Sequence, residues 1–121
     1  MSEPRIPAAA DAPEVYTRER CHIREILNDP RVPRVSLARC RVEPGVTTER
    51  HRLAVDEWYL VERGRGRLEV GGRAPFDIGP GDRVEIPAGT PQRVTNTGRE
   101  DLVFQCLCLP RFRPEAYEAL E

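Results

Sequence analysis

Two side chains able to bind a metal ion or move a proton lie six residues apart in the first half of the chain. His51 and Glu57 stand between Gly45 and Gly64, and the pattern around them predicts that both lie on strands. An imidazole and a carboxylate that point into one cavity can coordinate a metal or act as an acid/base pair. The alternative is that His51, flanked by two arginines, is a surface histidine in a charged loop.

A tyrosine shares the strand face of this glutamate. Tyr59 follows Glu57 by two residues, so strand alternation points both side chains the same way. Its hydroxyl group can donate a hydrogen bond or act as an acid in a pocket, or the ring can simply pack in the core. Tyr59, His51 and Glu57 are therefore the candidate catalytic residues.

Three of the four cysteines support a second hypothesis. Cys106 and Cys108 share a strand face. If that face and Cys40 both look into the cavity, they can supply thiolates to a soft metal or a redox pair. The competing interpretation is core packing, since free cysteine is among the most buried residue types.

Short strands separated by Gly- and Pro-containing turns surround these residues and predict an all-β barrel or sandwich. Residues 16–27 alternate as a strand, with a short amphipathic helix as the alternative. Residues 102–109 are apolar on both faces, which predicts a strand buried on both sides. From Pro114 onward the pattern predicts a short C-terminal helix on the outside of the barrel. Further strands are expected at residues 35–42, 67–70, 84–86 and 92–95.

Length and charge restrict the class of protein. The 121 residues suffice for one domain, expected over residues 16–121 behind a poorly ordered tail, residues 1–15. A net charge of −1 argues against nucleic-acid or anionic-membrane binding. The nineteen basic residues are all Arg, which excludes a Schiff-base lysine. No secretory signal or membrane-length apolar run is present, so the cysteines are expected to be reduced in a cytoplasm.

Two spaced motifs give the chain a family resemblance. The first runs over residues 45–64 with Gly45, His51, Glu57 and Gly64, and the second over residues 81–96. In both motifs, the number of residues between successive motif positions equals that in the motifs of the cupin superfamily. The chain resembles the small single-domain members of that superfamily over roughly residues 35–110. The resemblance implies a double-stranded β-helix, or jelly-roll, barrel. The second motif retains Gly81, Pro87, Gly89 and Asn96.

The resemblance also implies a metal site, from which this chain departs at two positions. Metal-binding cupins hold Fe, Mn, Ni or Zn with three histidines and a glutamate. Here Leu53 and Gln92 replace two of those histidines. The remaining ligand set is His51, Glu57 and Gln92, with Leu53, Cys40 and Cys108 as expected pocket-lining residues. In the metal-free alternative, Gln92 forms a hydrogen bond with Glu57 or with a ligand.

Three functions follow as alternatives. The first is a metal-dependent cupin enzyme acting on a small molecule, and the second is a metal-free isomerase or epimerase that uses His51 and Glu57. The third is a binding or sensing module for a small ligand. The resemblance further implies a homodimer, with the strand at residues 21–27 as the expected contributor because its edge would otherwise be exposed.

Overall fold

Antiparallel strands make up almost all of the regular structure, which is seen in a computed structural model describing residues 12–121. In chain order the strands are β1 (Val15–Tyr16), β2 (His22–Leu27), β3 (Ser36–Val42), β4 (His51–Leu53), β5 (Asp56–Arg63), β6 (Gly66–Val70), β7 (Phe76–Ile78), β8 (Arg83–Ile86), β9 (Gln92–Asn96), β10 (Leu102–Leu109) and β11 (Tyr117–Ala119).

The strands form two sheets. The first has the order β1-β2-β3-β10-β5-β8 and the second the order β11-β4-β9-β6-β7, with every pair antiparallel. Neighbours in each sheet are often distant in the sequence, as in the pairing of β3 with β10. The predicted all-β fold and its jelly-roll arrangement are confirmed.

Alternation along the motif strands turns the chemical side chains inward. On β5, Glu57, Tyr59 and Val61 are buried, while Trp58 and Leu60 between them are only partly so. A period of two is the normal consequence of a pleated strand with one face on the core. The residues that the sequence places on one face therefore do share the interior of the fold.

Two residues at the ends of the motifs have structural roles. Gly64 has φ +87°, and a Cβ there would lie 2.5 Å from the carbonyl oxygen of Asp101, so only glycine fits this turn. Asn96 is buried, and its amide nitrogen donates to the carbonyl oxygens of Val42 and Glu100, both at 2.8 Å. The motif asparagine therefore satisfies backbone groups that no strand partner reaches.

The interior contains two apolar clusters. The larger one lies between the sheets and includes Val42, Leu68, Val94 and Leu102, none of which is exposed. The smaller cluster is composed of Leu53, Val55 and Cys108, against which partly buried residues pack. Side chains from both clusters line the cavity described below.

The expected C-terminal helix is wrong. Pro114–Ala116 form one turn of 3-10 helix, and Tyr117–Ala119 then form β11, which pairs with β4. A helix this short has few hydrogen bonds to offset its nucleation cost. The free edge of β4 instead offers backbone partners, and the side chains of Arg52 and Glu118 form an ion pair at 2.7 Å across the two strands.

The prediction that β10 is buried on both faces is also wrong beyond Phe104. Cys106 and Cys108 are buried, but Gln105 and Leu107 are half-buried and Leu109 is exposed. The reason is that β10 lies inside a sheet whose second face is not covered by another layer of the described chain. Its outward apolar residues therefore lie at the surface.

The N-terminal segment is described only in part. Residues 1–11 of the predicted tail lie outside the described residues, so the tail remains a prediction. Val15 and Tyr16 pair with Ile23 and His22, and residues 22–27 form the predicted strand rather than a helix. Within residues 12–121, no helix has the length and apolarity needed to cross a membrane.

Candidate functional site

A cavity of about 80 Å³ opens between the two sheets and is lined by side chains of both apolar clusters. Its polar lining includes His51 and Glu57, so the two candidate residues face one space. Roughly 10–15 Å³ of such volume holds one water molecule, so the cavity accommodates a molecule of about six non-hydrogen atoms. The lining residues are Glu19, Cys21, Ile23, Glu25, Ser36, Ala38, Cys40, Thr48, His51, Leu53, Glu57, Tyr59, Phe104, Cys106, Cys108 and Phe112.

The His51 ring is held on two sides, which defines its free nitrogen. Its Nδ1 lies 2.9 Å from the backbone carbonyl oxygen of Glu49. Because a carbonyl oxygen only accepts, Nδ1 carries the hydrogen, and the lone pair of the neutral ring is on Nε2. The ring also stacks on Tyr117, with centroids 4.7 Å apart. Nε2 lies 3.8 Å from Glu19 Oε1.

Gln92 connects the two other candidate residues. Its Nε2 donates to Glu57 Oε1 at 2.8 Å, and its Oε1 accepts from the Tyr59 hydroxyl group at 2.5 Å. Both ends of the amide are therefore used by buried neighbours. The Gln92 side chain is buried behind Glu57 and Tyr59 and is not part of the cavity lining. The hydrogen bond between Gln92 and Glu57 is the one that the sequence analysis gave as an alternative for Gln92.

Burial shifts the titration of these groups. It raises the pKa of Glu57 above its ordinary value, while the hydrogen bond from Gln92 and the nearby His51 act in the opposite direction. Burial also raises the pKa of Tyr59 well above its ordinary range, so the phenol stays neutral and acts as a donor. The Tyr59 hydroxyl donates to Gln92 Oε1, and its catalytic role stays a prediction. Its ring stacks on Phe104, with centroids 4.4 Å apart.

The ionisable side chains of the cavity wall are mostly acidic. Among residues 12–121, three carboxyl groups line it, those of Glu19, Glu25 and Glu57, and no arginine does. The pKa of Glu25 is raised, mainly by burial. The cation that can form at this wall is a protonated His51. The wall therefore disfavours an anionic ligand.

Comparison with known sequences assigns the family. The family model described as Cupin domain matches residues 38–109. The chain is a cupin. An uncharacterized protein of Methanocaldococcus jannaschii is 32% identical to this cupin over 108 residues, which covers 87% of this chain and 86% of the relative.

Solved structures show the same fold at low identity. Oxalate decarboxylase from Bacillus subtilis superposes with a TM-score of 0.80 at 20% identity over 92% of this cupin. This cupin covers only 30% of that enzyme chain. An uncharacterized conserved protein of Klebsiella pneumoniae with a double-stranded β-helix domain superposes with a TM-score of 0.76 at 16% identity. The match covers 98% of this chain and 99% of the Klebsiella chain. A cupin-like protein of Thermotoga maritima superposes with a TM-score of 0.72 at 22% identity. The match covers 83% of this chain and 75% of the Thermotoga chain.

The three predicted metal ligands of this cupin, His51, Glu57 and Gln92, are all buried. His51 offers Nε2, and Glu57 Oε2 lies 4.0 Å from the Cys108 thiol. Gln92 Oε1 accepts a hydrogen bond from Tyr59 and keeps a second lone pair. Among residues 12–121 no group of three or more His, Cys, Asp or Glu side chains is arranged to hold a metal. The ligand set of His51, Glu57 and Gln92 therefore stays a prediction.

Some residues of the site were missed by the sequence reasoning. Glu19 lines the cavity, and alternation from Cys21, Ile23 and Glu25 was the signal that could have placed it there. Tyr117 reaches the His51 ring only because β11 pairs with β4, which no local pattern reveals. Its hydroxyl donates to Glu49 Oε1 at 2.5 Å, which fixes the segment before His51.

Proposed function

We propose that this cupin binds a small uncharged or positively charged molecule in the cavity between His51 and Glu57. The observation that carries the proposal is the lining of the cavity, to which the described part of the chain, residues 12–121, contributes three carboxyl groups and no arginine. An anion entering this space would lose its hydration without gaining a positively charged partner other than a protonated His51. A neutral or cationic ligand can instead use Glu57, Glu19 and the lone pair of His51.

The same pair can transfer protons to and from a bound molecule. His51 has an unprotonated Nε2 in its neutral form, which makes it a base. Glu57, with its raised pKa, keeps its proton to a higher pH than an exposed glutamate and can act as an acid. Isomerase or epimerase chemistry is therefore the enzymatic form of the proposal, and ligand binding without turnover is the non-enzymatic form.

A matched series of small probes tests the charge preference. Isobutylamine, isobutyramide and isobutyrate share one carbon skeleton and have about the size that the cavity admits. Saturation-transfer NMR is expected to detect the amine and the amide but not the carboxylate. Glu57→Gln should weaken the amine signal, whereas His22→Ala, at a half-buried histidine outside the cavity lining, should leave it unchanged. A carboxylate signal as strong as the others, or no signal from any probe, would contradict the proposal.

A divalent ion held by His51, Glu57 and Gln92 is the competing proposal. The free Nε2 of His51 supports it, and Mn²⁺, Fe²⁺, Ni²⁺ or Zn²⁺ would suit the donor types. Gln92 would use the second lone pair of its side-chain oxygen, the first of which accepts from Tyr59. Elemental analysis and thermal shifts with these ions, on wild type, His51→Ala and Glu57→Ala, separate the two proposals. A near-zero metal content in all three proteins, with no thermal shift on adding the ions, would rule out the proposed metal site.

We also propose that the protein forms a homodimer through the outer edge of the first sheet. β1 pairs only with the beginning of β2, at Ile23 and His22. Next to this pairing, Val15, Tyr16, Ile26 and Leu27 are exposed, Ile26 by 50%. An apolar edge of this kind favours pairing with another chain.

Light scattering coupled to size exclusion tests this proposal. The wild type is expected to elute as a dimer, and Ile26→Glu is expected to convert it to a monomer. Leu109→Glu, at an exposed leucine away from that edge, is the matched control and should stay dimeric. A monomeric wild type would rule out the interface.

A further inference from the structure

The cavity that contains His51 and Glu57 continues into a larger groove on the surface. The groove has a volume of about 630 Å³, compared with about 80 Å³ for the cavity. Four residues line both spaces and so form the mouth between them: Glu19, Ile23, Glu25 and Phe112. A molecule bound in the cavity therefore has room to extend through this mouth into the groove.

Two segments near the ends of the described chain build the groove. Val15 of β1 lies directly opposite Ile23 of β2, and both line the groove, whereas Tyr16 does not. The second segment follows β10 and contributes Phe112, Pro114 and Tyr117. Both segments lie outside residues 38–109, which the family model matches. The groove is thus formed by parts of this chain that flank the matched domain.

The walls of the groove are mostly apolar. Among the described residues that line it, the charged ones are Arg18, Glu19 and Glu25. Arg18 already has a partner, since its guanidinium group lies 3.4 Å from the Glu49 carboxylate. The two glutamates lie at the mouth. The lining therefore changes from acidic groups in the cavity and at the mouth to apolar groups in the groove.

We propose that the ligand of this cupin is a primary amine with an extended apolar tail. Its ammonium group binds in the cavity, and its tail passes between Ile23 and Phe112 into the groove. The inference rests on the proposed function, because the carboxyl groups of the cavity are what select the amine. The tail is bound because it and the apolar walls of the groove leave water together.

The buried glutamate determines which end of the molecule enters the cavity. Glu57 Oε2 lies 4.0 Å from the Cys108 thiol, which is longer than a strong hydrogen bond. An ammonium group at this oxygen would form a charge-assisted hydrogen bond. With the tail inside instead, the carboxyl group would face hydrocarbon without that partner, which is unfavourable for a buried polar group.

Saturation-transfer NMR titrations of the full chain with n-butylamine, n-hexylamine and n-octylamine test the proposal. The cavity alone has room for n-butylamine, whereas the tail of n-octylamine must extend beyond it. Fully burying one methylene group raises affinity about fourfold. Because the groove is open to solvent, the four added methylene groups of n-octylamine are expected to raise its affinity about tenfold or more. Its terminal methyl group should receive saturation from the protein.

Substitutions in the groove and in the cavity should act on different parts of this series. Val15 and Pro114 are exposed and line the groove but not the cavity. Val15→Ser/Pro114→Ser is expected to lower the affinity for n-octylamine about threefold or more, with n-butylamine as the internal reference. Leu109→Ser, at an exposed leucine outside both linings, is the matched control. Glu57→Gln should weaken both amines by the same factor and preserve their ratio.

The outcomes distinguish this inference from the proposed function. If n-butylamine binds and n-octylamine binds no more tightly, the tail assignment is overturned and the acidic cavity stands. The same flat series is expected if residues 1–11 or a second copy of the chain fills the groove. If no amine binds, both proposals fail.

Two further results would contradict the placement of the ligand. n-Octanoate has an equally long chain with an anionic head and is expected to bind at least about tenfold more weakly than n-octylamine. Equal binding would show that the head does not enter the acidic cavity. A full gain for n-octylamine in Val15→Ser/Pro114→Ser would show that the tail lies outside the groove.

Discussion

The side-chain amide of Gln92 donates a 2.8 Å hydrogen bond to Glu57 Oε1. A residue that stands where the cupin motif has a metal-binding histidine thus holds a carboxyl group in place. The same amide accepts a hydrogen bond from Tyr59, so both of its ends are bonded to buried neighbours. In this arrangement the glutamine orients the Glu57 carboxyl group, and its part as a metal ligand stays a prediction.

Replacing Gln92 should destabilise the fold through its two partners. Gln92→Leu leaves the Glu57 carboxyl group and the Tyr59 hydroxyl group without their buried partner, which should cost about 2–4 kcal/mol. Gln105→Leu is the matched control, because Gln105 is partly exposed and its bond to Glu62 is at the surface; a change within about 0.5 kcal/mol is expected. Urea unfolding measures both. An equal loss of stability in the two variants would show that the buried hydrogen bonds of Gln92 do not contribute to stability.

Restoring the family histidines should restore metal binding. Leu53→His together with Gln92→His would place two more imidazoles beside His51 and Glu57. Added Mn²⁺ or Fe²⁺ should then stabilise the protein by about 2.7 kcal/mol at a concentration one hundred times the Kd.

The wild type is the reference for the metal-induced stabilisation of the Leu53→His/Gln92→His variant. Adding Glu57→Ala to this double variant should abolish the stabilisation. Calorimetry with metal analysis measures the gain. A wild type that binds these ions as tightly as the double variant would show that Gln92 already acts as a ligand, contrary to the hydrogen-bonding pattern.

The raised pKa of Glu57 predicts a specific pH dependence of stability. At pH values above its ordinary 4.5 the folded protein holds a proton that the unfolded chain has released. Stability therefore falls as the pH rises through this window. Glu57→Gln removes the titration and keeps an acceptor for Gln92, so its Tm relative to wild type should increase between pH 4 and pH 7.

Glu69→Gln is the control of opposite sign. The hydrogen bond from Arg93 lowers the pKa of Glu69, so this glutamate favours the folded state above its ordinary pKa and loses that contribution as the pH falls. The Tm of Glu69→Gln relative to wild type should decrease between pH 4 and pH 7. Parallel curves for the two variants would refute the assignment of Glu57.

Three glycine substitutions should separate backbone strain from steric contact. Gly64 has φ +87° and a carbonyl oxygen where a Cβ would lie, Gly45 has φ +79° with open space around it, and Gly72 has neither restriction. Changing each to alanine should cost about 3 kcal/mol or more at Gly64, about 1–2 kcal/mol at Gly45 and about 0.5 kcal/mol or less at Gly72. Denaturant melts give the order directly. A cost at Gly72 equal to that at Gly64 would contradict it.

Local patterns in the sequence determined most strands and the location of the candidate site. Alternation with a period of two depends only on near neighbours, so it placed Glu57 and Tyr59 on one face without knowledge of their partners. The jelly-roll arrangement was implied by the resemblance to cupins that the two motifs carry, whereas the local pattern alone predicted an all-β barrel or sandwich. Residues 22–27 form a strand as expected, because short alternating segments behave alike in any sheet with one buried face.

Only the tertiary structure decided what depends on residues far apart in the chain. The bond between Gln92 and Glu57 spans 35 residues, and the contact between Cys40 and Cys106 spans 66. The C-terminal segment became a strand because the free edge of β4 offered it hydrogen bonds, which its own composition could not indicate. Strand pairing brings together side chains whose sequence separation carries no local signal. The hydrogen bond from Gln92 to Glu57 was one of two alternatives in the sequence, and only the folded chain shows that it forms.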